Sequence, residues 1–315
     1  MASHGLEKGQ SVQQLIAQSR NKKGKKIIEK SMPILLIITA LISVFTTIGI
    51  VFTLIFETFE FFQRVSITDY IFGTEWMPFS GNEPTYGILP LVLGTLKVSV
   101  IAALVAVPLG IAAAIYLSEY ASDKARRIIK PILEVLAGVP TIVYGFFALT
   151  FITPILQQLI PSLKIFNALS PGIVVGIMIL PMVASLSEDA MSSVPNSIRE
   201  GALALGATKL EVSLKVVLPA ALSGIISSVV LAVSRAIGET MIVSLAGGAT
   251  PRFDFNVTDS IQTMTAYIVQ VSSGDAGYGT TIYYSIYAVG FTLFIFTLLM
   301  NLLAQYISKR FREEY

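Results

Sequence analysis

Long apolar runs restrict the fold of this chain more than any other feature of its sequence. A helix of roughly 20 apolar residues is long enough to cross the hydrocarbon core of a bilayer. Only 13% of the residues are charged, whereas a typical soluble domain carries about 25%. We therefore predict an all-α integral membrane protein with six transmembrane helices. The predicted spans cover approximately residues 33–55, 88–117, 132–159, 171–186, 220–246 and 282–307.

The composition excludes several kinds of site. The chain has no cysteine and one histidine, His4, so disulfides, thiolate chemistry and histidine-containing metal or catalytic clusters are excluded. A formal net charge of +2 is far from the strongly basic balance of a nucleic-acid-binding protein. The sequence also lacks a Walker-type phosphate loop. We expect no catalytic residue, no metal site and no bound cofactor in this chain.

The distribution of Lys and Arg predicts the orientation in the membrane. Most of the 22 basic residues lie in 1–31, 124–130, 197–219 and 309–315. Because such residues are retained on the cytoplasmic side, six spans with both termini in the cytoplasm fit this distribution. We therefore divide the chain into a basic N-terminal tail at 1–31, a six-span domain at 32–308 and a C-terminal tail at 309–315.

Local features refine this topology. Pro140 is expected to kink the third span, and Lys97, near the start of the second, is expected to extend its ammonium group outward. Two external segments, 57–87 and 249–281, are longer than simple turns. The second is predicted to contain a short helix over 260–271.

The polar segment 197–219, which we call the elbow, lies between two apolar runs. Two capping boxes predict two helix starts in it, because a hydroxyl and a carboxylate three residues apart satisfy free backbone N–H groups. The first box pairs Ser197 with Glu200, and the second pairs Thr208 with Glu211.

The elbow also has a predicted turn and a predicted end. Gly206, between the two helices, suits a turn that requires positive φ, and Pro219 is expected to close the second helix. Each helix carries an apolar stripe opposite its charges. The stripes are Ile198, Ala202 and Leu205 in the first helix, and Leu210, Leu214 and Val217 in the second. Such a surface between membrane spans is typical of a docking site for a soluble partner.

A charged pair interrupts the fifth apolar run. Arg235 and Glu239 are four residues apart and are expected on one helix face, directed to the bundle interior or a wet cavity, because charges within a membrane are costly. The arginine fork fits a tetrahedral oxyanion, and Ser234, Thr240 and Ser244 would add hydroxyl donors. Two interpretations stay open: an anion gate in which Glu239 holds Arg235 when no anion is bound, and a salt bridge that fixes packing.

The elbow resembles the EAA loop of ABC-importer permeases. The matching residues are Glu200-Gly201-Ala202, then Gly206, then Leu218-Pro219. The match departs at Gly201, where that family usually has Ala, and at Val216, two residues before Leu218, where Ile is common. The resemblance implies that the elbow is the loop through which ATPase subunits are coupled to the membrane domain.

Further stretches resemble the PstC permeases of phosphate-specific ABC importers. They are Gly73-Thr74-Glu75-Trp76, Tyr86-Gly87-Ile88-Leu89-Pro90, Gly94-Thr95-Leu96, Gly138-Val139-Pro140-Thr141-Ile142-Val143-Tyr144-Gly145 and Arg235-Ala236-Ile237-Gly238-Glu239-Thr240-Met241. This resemblance implies a MetI-like permease fold in the bacterial inner membrane and associates Arg235 and Glu239 with the phosphate path.

The same resemblance implies partners. They would be a second, PstA-like permease, a PstB-like ATPase dimer that binds ATP and Mg²⁺, and a PstS-like phosphate-binding protein. From the residues alone we infer only a six-span permease with a docking elbow that moves an anion. Molybdate, tungstate, sulfate or a phosphonate stay open as substrates. An ion-coupled secondary carrier is a further alternative, although we find no internal inverted repeat of the kind common in such carriers.

Overall fold

The computed structural model describes residues 23–310, except residues 82 and 275. The predicted tails at 1–31 and 309–315 therefore lie for the most part outside the described residues. Their side of the membrane stays a prediction.

The chain divides into two compact units, 1–56 and 57–315. The first unit contains most of α1 (Lys23–Phe62), a helix of 40 residues. Its part from Ser31 onward is long and apolar enough to cross a membrane. The first predicted span is confirmed in these terms, and the helix begins within the predicted N-terminal tail.

In the described part of the second unit, the regular secondary structure is helical apart from one short antiparallel hairpin. Its elements are α2 (Ile67–Phe72), β1 (Trp76–Met77), β2 (Thr85–Tyr86), α3 (Leu89–Ile115), α4 (Asp123–Ala137), α5 (Thr141–Phe147), α6 (Thr153–Leu159), α7 (Leu169–Ser192), α8 (Asn196–Ala204), α9 (Lys209–Val212), α10 (Leu218–Ala220), α11 (Leu222–Ile237), α12 (Met241–Ala246), α13 (Met264–Ser272) and α14 (Thr281–Arg310). Single π-helical turns follow α3, α5 and α9, over Tyr116–Tyr120, Ala148–Ile152 and Ser213–Val217.

Five helices of the described chain are long and apolar enough to cross a membrane. A sixth span is obtained when the bent pair Lys209–Ala220 and Leu222–Ile237 is counted as one. The bend between its two members is 72°. The prediction of an all-α chain with six spans is therefore confirmed by the length and composition of the described helices.

The third apolar run is not one kinked helix as predicted. The chain leaves the helical conformation between Gly138 and Pro140, and only Thr141–Leu159 is a candidate span. Proline has no N–H to donate and disfavours the helical conformation of the residue before it, so the break replaces a kink. The preceding α4 carries apolar side chains on an exposed face and basic ones beside it.

The packing of α3 against α7 forms the centre of the second unit. A Cβ placed on Gly176 would lie 2.8 Å from the Cβ of Val105 and 2.9 Å from the carbonyl oxygen of Ala102. Gly172 and Gly110 have equally close neighbours on the facing helix. Small residues therefore let the two helices approach closely, as in many membrane bundles.

Trp76, in the first external segment, lies in an aromatic cluster rather than at the surface. It is 2% exposed, and its ring centroid lies 4.8 Å from that of Tyr267 in α13. Phe61, Tyr70 and Tyr86 complete the cluster, mostly in edge-to-face contacts. The two external segments thus share one apolar core.

The prediction that Lys97 extends outward is wrong. Its residue is 8% exposed, and its ammonium group donates to Asp254 Oδ1 at 2.9 Å and to the carbonyl of Asn256 at 3.0 Å. The second external segment folds back over α3 and supplies these acceptors. Its helix, α13, begins later than predicted, because Thr263 caps it by accepting from the N–H of Ala266.

Candidate functional site

The fifth apolar run breaks where the charged pair was predicted. Helix α11 ends at Ile237, the chain is not helical at Gly238 and Glu239, and α12 begins at Met241. Glycine has a weak helix propensity, which is consistent with an end at this position. Arg235 and Glu239 therefore do not share one helix face.

Glu239 is held within the broken segment. The residue is 8% exposed, and its Oε1 accepts from the N–H of Ile242 at 3.2 Å. Its carbonyl oxygen accepts from the hydroxyl of Thr265 at 2.8 Å, which connects the break to α13. The carboxylate thus satisfies a free N–H in the first turn of α12.

Arg235, by contrast, is exposed on α11. No hydrogen bond or ion pair to its guanidinium is present among the described residues, and none joins it to Glu239. The predicted salt bridge, whether as gate or as packing contact, is therefore absent from this conformation. An unpaired charge in an apolar helix is stable only where water or an anion reaches it.

The hydroxyl groups predicted beside Arg235 have other contacts. Ser234 donates to Asn301 Oδ1 in α14 at 2.9 Å, Thr240 donates to the carbonyl of Gly238 at 3.1 Å, and Ser244 donates to that of Thr240 at 2.8 Å. Sequence reasoning missed Asn301. An amide within an otherwise apolar run is the signal that would have found it.

The first helix of the elbow starts differently from the prediction. Pro195 stands at the N-cap of α8, and no side chain caps the helix. Ser197 therefore lies inside the helix and forms no capping box with Glu200, so that prediction is wrong. With Ser197 as N-cap the helix would begin at Ile198, whereas α8 begins two residues earlier, at Asn196, after the extended Pro195, whose ring fixes φ at about −65°.

The second half of the elbow is confirmed. The hydroxyl of Thr208 accepts from the N–H of Glu211 at 3.3 Å, and Glu211 Oε2 accepts from the N–H of Thr208 at 3.1 Å, which completes the capping box. Gly206 adopts φ of +86°, as its turn position requires. The helical segment ends one residue after Pro219, at Ala220.

The apolar stripes of the elbow are partly exposed. Ile198 and Ala202 pack on the membrane helices, whereas Leu205 is 91% exposed. In the second stripe, Leu210 and Leu214 are exposed and Val217 is buried. The π-helical turn over Ser213–Val217 lengthens one turn by a residue and so rotates the face that follows.

Of the residues that match the EAA pattern, four lie on the outside of the elbow, Gly206 among them. Glu200, Gly201 and Pro219 are exposed, and a Cβ at Gly201 would meet nothing within 4 Å. Leu218 is half-buried and packs with Ala202 against the same membrane helices. The structure thus brings the pattern together in one compact elbow.

Arg199 anchors this elbow to the end of the second span. Its Nε and Nη2 donate to Glu119 Oε1 at 3.2 and 3.1 Å, and Nη2 also donates to the carbonyl of Met191 at 2.7 Å. Its Nη1 donates to the carbonyl of Val194 and to Asn196 Oδ1. Sequence reasoning missed this contact, because Glu119 and Arg199 are 80 residues apart.

A second ionic contact holds α4 to α7. Glu188 is 1% exposed, and its carboxylate pairs with Arg126 at 3.0 Å and with Lys130. Lys130 also pairs with Asp189 at 3.0 Å. The hydrogen bond to Glu188 raises the pKa of the Lys130 ammonium group above its usual value. The chain that leads into the elbow, and the first helix of the elbow, are therefore fixed by buried or half-buried charge pairs.

Comparison with known sequences gives consistent matches. The profile of the binding-protein-dependent transport system inner membrane components matches residues 106–313. A probable ABC transporter permease protein, YqgH of Bacillus subtilis, is 37% identical over 246 residues, which cover 78% of this chain and 79% of that protein. The phosphate transport system permease protein PstC of Xylella fastidiosa is 34% identical over 261 residues, covering 76% and 78%.

Comparison with solved structures shows the same fold. A chain of a bacterial alginate ABC transporter, solved in complex with an alginate pentasaccharide-bound periplasmic protein, superposes with a TM-score of 0.62. The match covers 91% of this chain and 96% of that one at 16% identity. A chain of the inward-facing MetNI methionine ABC transporter gives a TM-score of 0.53 at 17% identity, covering 72% and 95%.

Proposed function

This chain belongs to the family of binding-protein-dependent transport system inner membrane components, and on that premise we propose that it is the permease subunit of an ATP-driven importer of inorganic phosphate. Membership makes it an ABC importer permease, a multi-pass membrane protein. It also sets aside the ion-coupled secondary carrier. The phosphate assignment is favoured by the PstC relatives.

The observation that carries the proposal is the state of Arg235. Its guanidinium is exposed in an apolar helix, and within the described part of the chain it has no counter-charge. In the assembled importer this surface would line the path between two permeases, where an anion in transit supplies the missing charge. Arginine suits this role because its planar donors bind a tetrahedral oxyanion in two places and it stays charged.

Glu239 has a different role in this proposal from a direct counter-ion. Its carboxylate accepts from the N–H of Ile242, and its carbonyl accepts from the hydroxyl of Thr265. Glu239 would therefore stabilise the non-helical segment between α11 and α12 and fix α13 next to it. Arg235 is therefore left available for the anion. Ser234 sets the position of α11 against α14 through Asn301, and Thr240 completes the broken segment.

The elbow would couple this path to ATP hydrolysis. Its exposed leucines, Leu203, Leu205, Leu210 and Leu214, form an apolar surface with Glu200 and Gly201 beside it. A patch of this kind marks a protein interaction site. We assign it to a PstB-like ATPase dimer, which would bind ATP and Mg²⁺, and place the elbow and both termini in the cytoplasm.

The remaining partners follow from the same assignment. A PstA-like permease would complete the path, and a PstS-like protein would deliver phosphate to the external segments in the bacterial inner membrane. The chain itself would bind no cofactor. We also propose, from the same family assignment, the division into an N-terminal tail, a six-span domain and a C-terminal tail.

The test is phosphate uptake by proteoliposomes that contain the chain and its co-expressed partners. ATP is enclosed with the ATPase subunits, and the binding protein is supplied outside. We expect ATP-dependent uptake of labelled phosphate that falls by at least about 100-fold in Arg235→Ala, since removal of a charged contact costs about 3 kcal/mol. Arg127→Ala, an exposed arginine on α4, is the matched control and should retain uptake.

Competition identifies the substrate. Unlabelled phosphate should abolish uptake of the label, whereas molybdate and sulfate at equal concentration should not. Selective uptake of another oxyanion would retain the permease assignment and overturn the phosphate one. Failure of Arg235→Ala to assemble with its partners would instead favour a packing role for Arg235.

A further inference from the structure

A cationic cavity lies where the elbow meets the end of the second span, away from Arg235 along the sequence. Its volume is about 650 Å³. Its wall includes Arg126 of α4, Arg199 of α8 and Lys209 of α9, and one carboxylate, Glu119. Glu119 pairs with Arg199, and Glu188, just outside the wall, pairs with Arg126, so within the described residues Lys209 is the cation of this wall without a carboxylate partner.

The hydrogen-bond partners show which donors are available. All three nitrogens of Arg199 donate to protein acceptors. Arg126 donates from Nε and Nη2 to the carbonyl oxygen of Leu117, and from Nη2 also to the Ser192 hydroxyl and the Glu188 carboxylate. Its Nη1 has no acceptor among the described residues. Lys209 has no acceptor there either, and its ammonium group stands 5.0 Å from the ring centroid of Tyr120.

The position of the cavity relative to the bilayer follows from the side chains around it. Tyr116 and Tyr120, at the end of the second span, are 48% and 42% exposed. Exposed tyrosines at the end of a span are typical of the membrane–water interface. Helix α4, beside them, exposes Ile128, Ile132 and Val135 on one face, which is the pattern of a helix lying in the interface.

We propose that this cavity binds an anion that carries a phosphate group. Arg126 Nη1 and the Lys209 ammonium group are the donors, and Arg199, neutralised by Glu119, shapes the wall between them. Charge-assisted hydrogen bonds from arginine and lysine to phosphate oxygens are strong. The phosphate group belongs to an anionic phospholipid of the adjoining leaflet or to free inorganic phosphate.

The occupied cavity would join three elements. A phosphate group bound by Arg126 and Lys209 connects α4 to α9, while Arg199 already connects α8 to the second span. The ligand would therefore stabilise the elbow against the membrane helices. This inference does not depend on which anion is transported.

The lipid arm of the test uses the full chain in nanodiscs that contain phosphatidylglycerol and phosphatidylcholine. Native mass spectrometry of the released protein measures the retained phosphatidylglycerol. We expect one retained molecule in the wild type and about tenfold less in Lys209→Gln, the loss expected for one charged hydrogen bond. Arg126→Gln should show the same loss. Because Arg126 also pairs with Glu188, this variant can destabilise α4, and in that case Lys209→Gln alone tests the site.

Matched controls separate a site from general attraction to anionic lipid. Arg127→Gln changes the neighbouring arginine of α4, and Lys215→Gln changes another lysine of the elbow; neither side chain lines the cavity. Both should retain the lipid as the wild type does. Equal retention by all five proteins, or equal loss in test and control variants, would overturn the proposal for lipid.

The second arm tests inorganic phosphate. Equilibrium binding of labelled phosphate is measured in pure phosphatidylcholine nanodiscs with the Arg235→Ala variant as background, so that the transport path does not contribute. Binding that is lost on adding Lys209→Gln but not Lys215→Gln identifies free phosphate as the ligand. If neither lipid retention nor phosphate binding depends on Lys209, the cavity is not a phosphate site.

Discussion

At the scale of single residues, a buried ammonium group is stable only where acceptors from elsewhere in the chain reach it. Lys97 lies in an apolar helix, yet its partners Asp254 and Asn256 come from a segment more than 150 residues away. The Asp254 side chain keeps 40% of its exposure, while the Lys97 side chain keeps 5%. The pair is therefore a polar anchor that holds the second external segment onto α3.

Asp254→Asn is expected to destabilise the second external segment by about 2 kcal/mol, because the buried Lys97 ammonium group loses its counter-charge. The measurement is hydrogen exchange of residues 249–259, which should become faster. Asp69→Asn, at an exposed carboxylate without an ion pair among the described residues, should leave this exchange unchanged. Equal rates in both variants would mean that the ion pair contributes nothing.

The same contact predicts a pH dependence. Its hydrogen bond to Lys97 lowers the pKa of the Asp254 carboxyl below the usual value. The stabilisation is therefore fully present above the unfolded-state pKa of about 4 and is lost as the pH falls through the lower, folded-state value. Acidification below pH 4 should lower the protection factors of residues 249–259, that is, their exchange rates relative to the intrinsic rates at the same pH, in the wild type and much less in Asp254→Asn.

Two local roles in the elbow were predictable although the capping box at Ser197 was not, and residues whose partners are distant were missed. Gly206 and Thr208 act within one turn, so their spacing alone predicted the positive φ and the capping box. Lys97, Arg199 and Ser234 find their partners 157, 80 and 67 positions away. Such contacts depend on the packing of whole helices, which no local pattern contains.

At the scale of elements, apolar length predicted the spans but not their interruptions. A run of apolar residues continues through Pro140 and through Gly238, and hydropathy does not distinguish a continuous helix from two shorter ones. The backbone properties of these two residues determine where the helices break, because proline lacks an N–H donor and glycine has a weak helix propensity. Glu239 then became a helix-start acceptor rather than the partner of Arg235.

The two predicted capping boxes of the elbow give a matched pair of variants. Thr208→Ala should lower stability by about 1 kcal/mol, because an N–H in the first turn of α9 loses its acceptor. Ser197→Ala should change stability by less than about 0.5 kcal/mol, because Ser197 caps nothing. Thermal unfolding with hydrogen exchange of residues 208–217 measures both, and a larger effect of Ser197→Ala would contradict the assignment of the helix start.

At the scale of the whole molecule, the close approach of α3 and α7 places the other helices. Both helices contribute to the large apolar core, and Tyr144 of α5, Ala232 of α11 and Val243 of α12 pack into it. The glycines on the facing sides set the distance between the two helices. A change there is expected to propagate to α11 and hence to Arg235.

Gly176→Ala tests this arrangement. The added methyl group would meet the Ala102 carbonyl oxygen at 2.9 Å, so the helices must shift, and overpacking of this kind costs about 1–3 kcal/mol. We expect a lower midpoint of thermal unfolding and reduced phosphate uptake. Gly201→Ala is the control, since its methyl group enters open space inside α8 and should stabilise by roughly 0.5–1 kcal/mol.

The corner between α10 and α11 connects the elbow to the helix that carries Arg235, so a tilt of the elbow would displace Arg235. Ala221, at this corner, is 5% exposed; its N–H donates to the carbonyl of Val217 in one arm, and its own carbonyl accepts from the N–H of Ile225 in the other, so the arms meet at 72° without an intervening loop. We expect the two helical arms to move together as one rigid body. A tilt of the elbow arm turns the other arm by the same angle. Arg235 lies about 21 Å along that arm, so a 10° tilt would carry it sideways by roughly 4 Å.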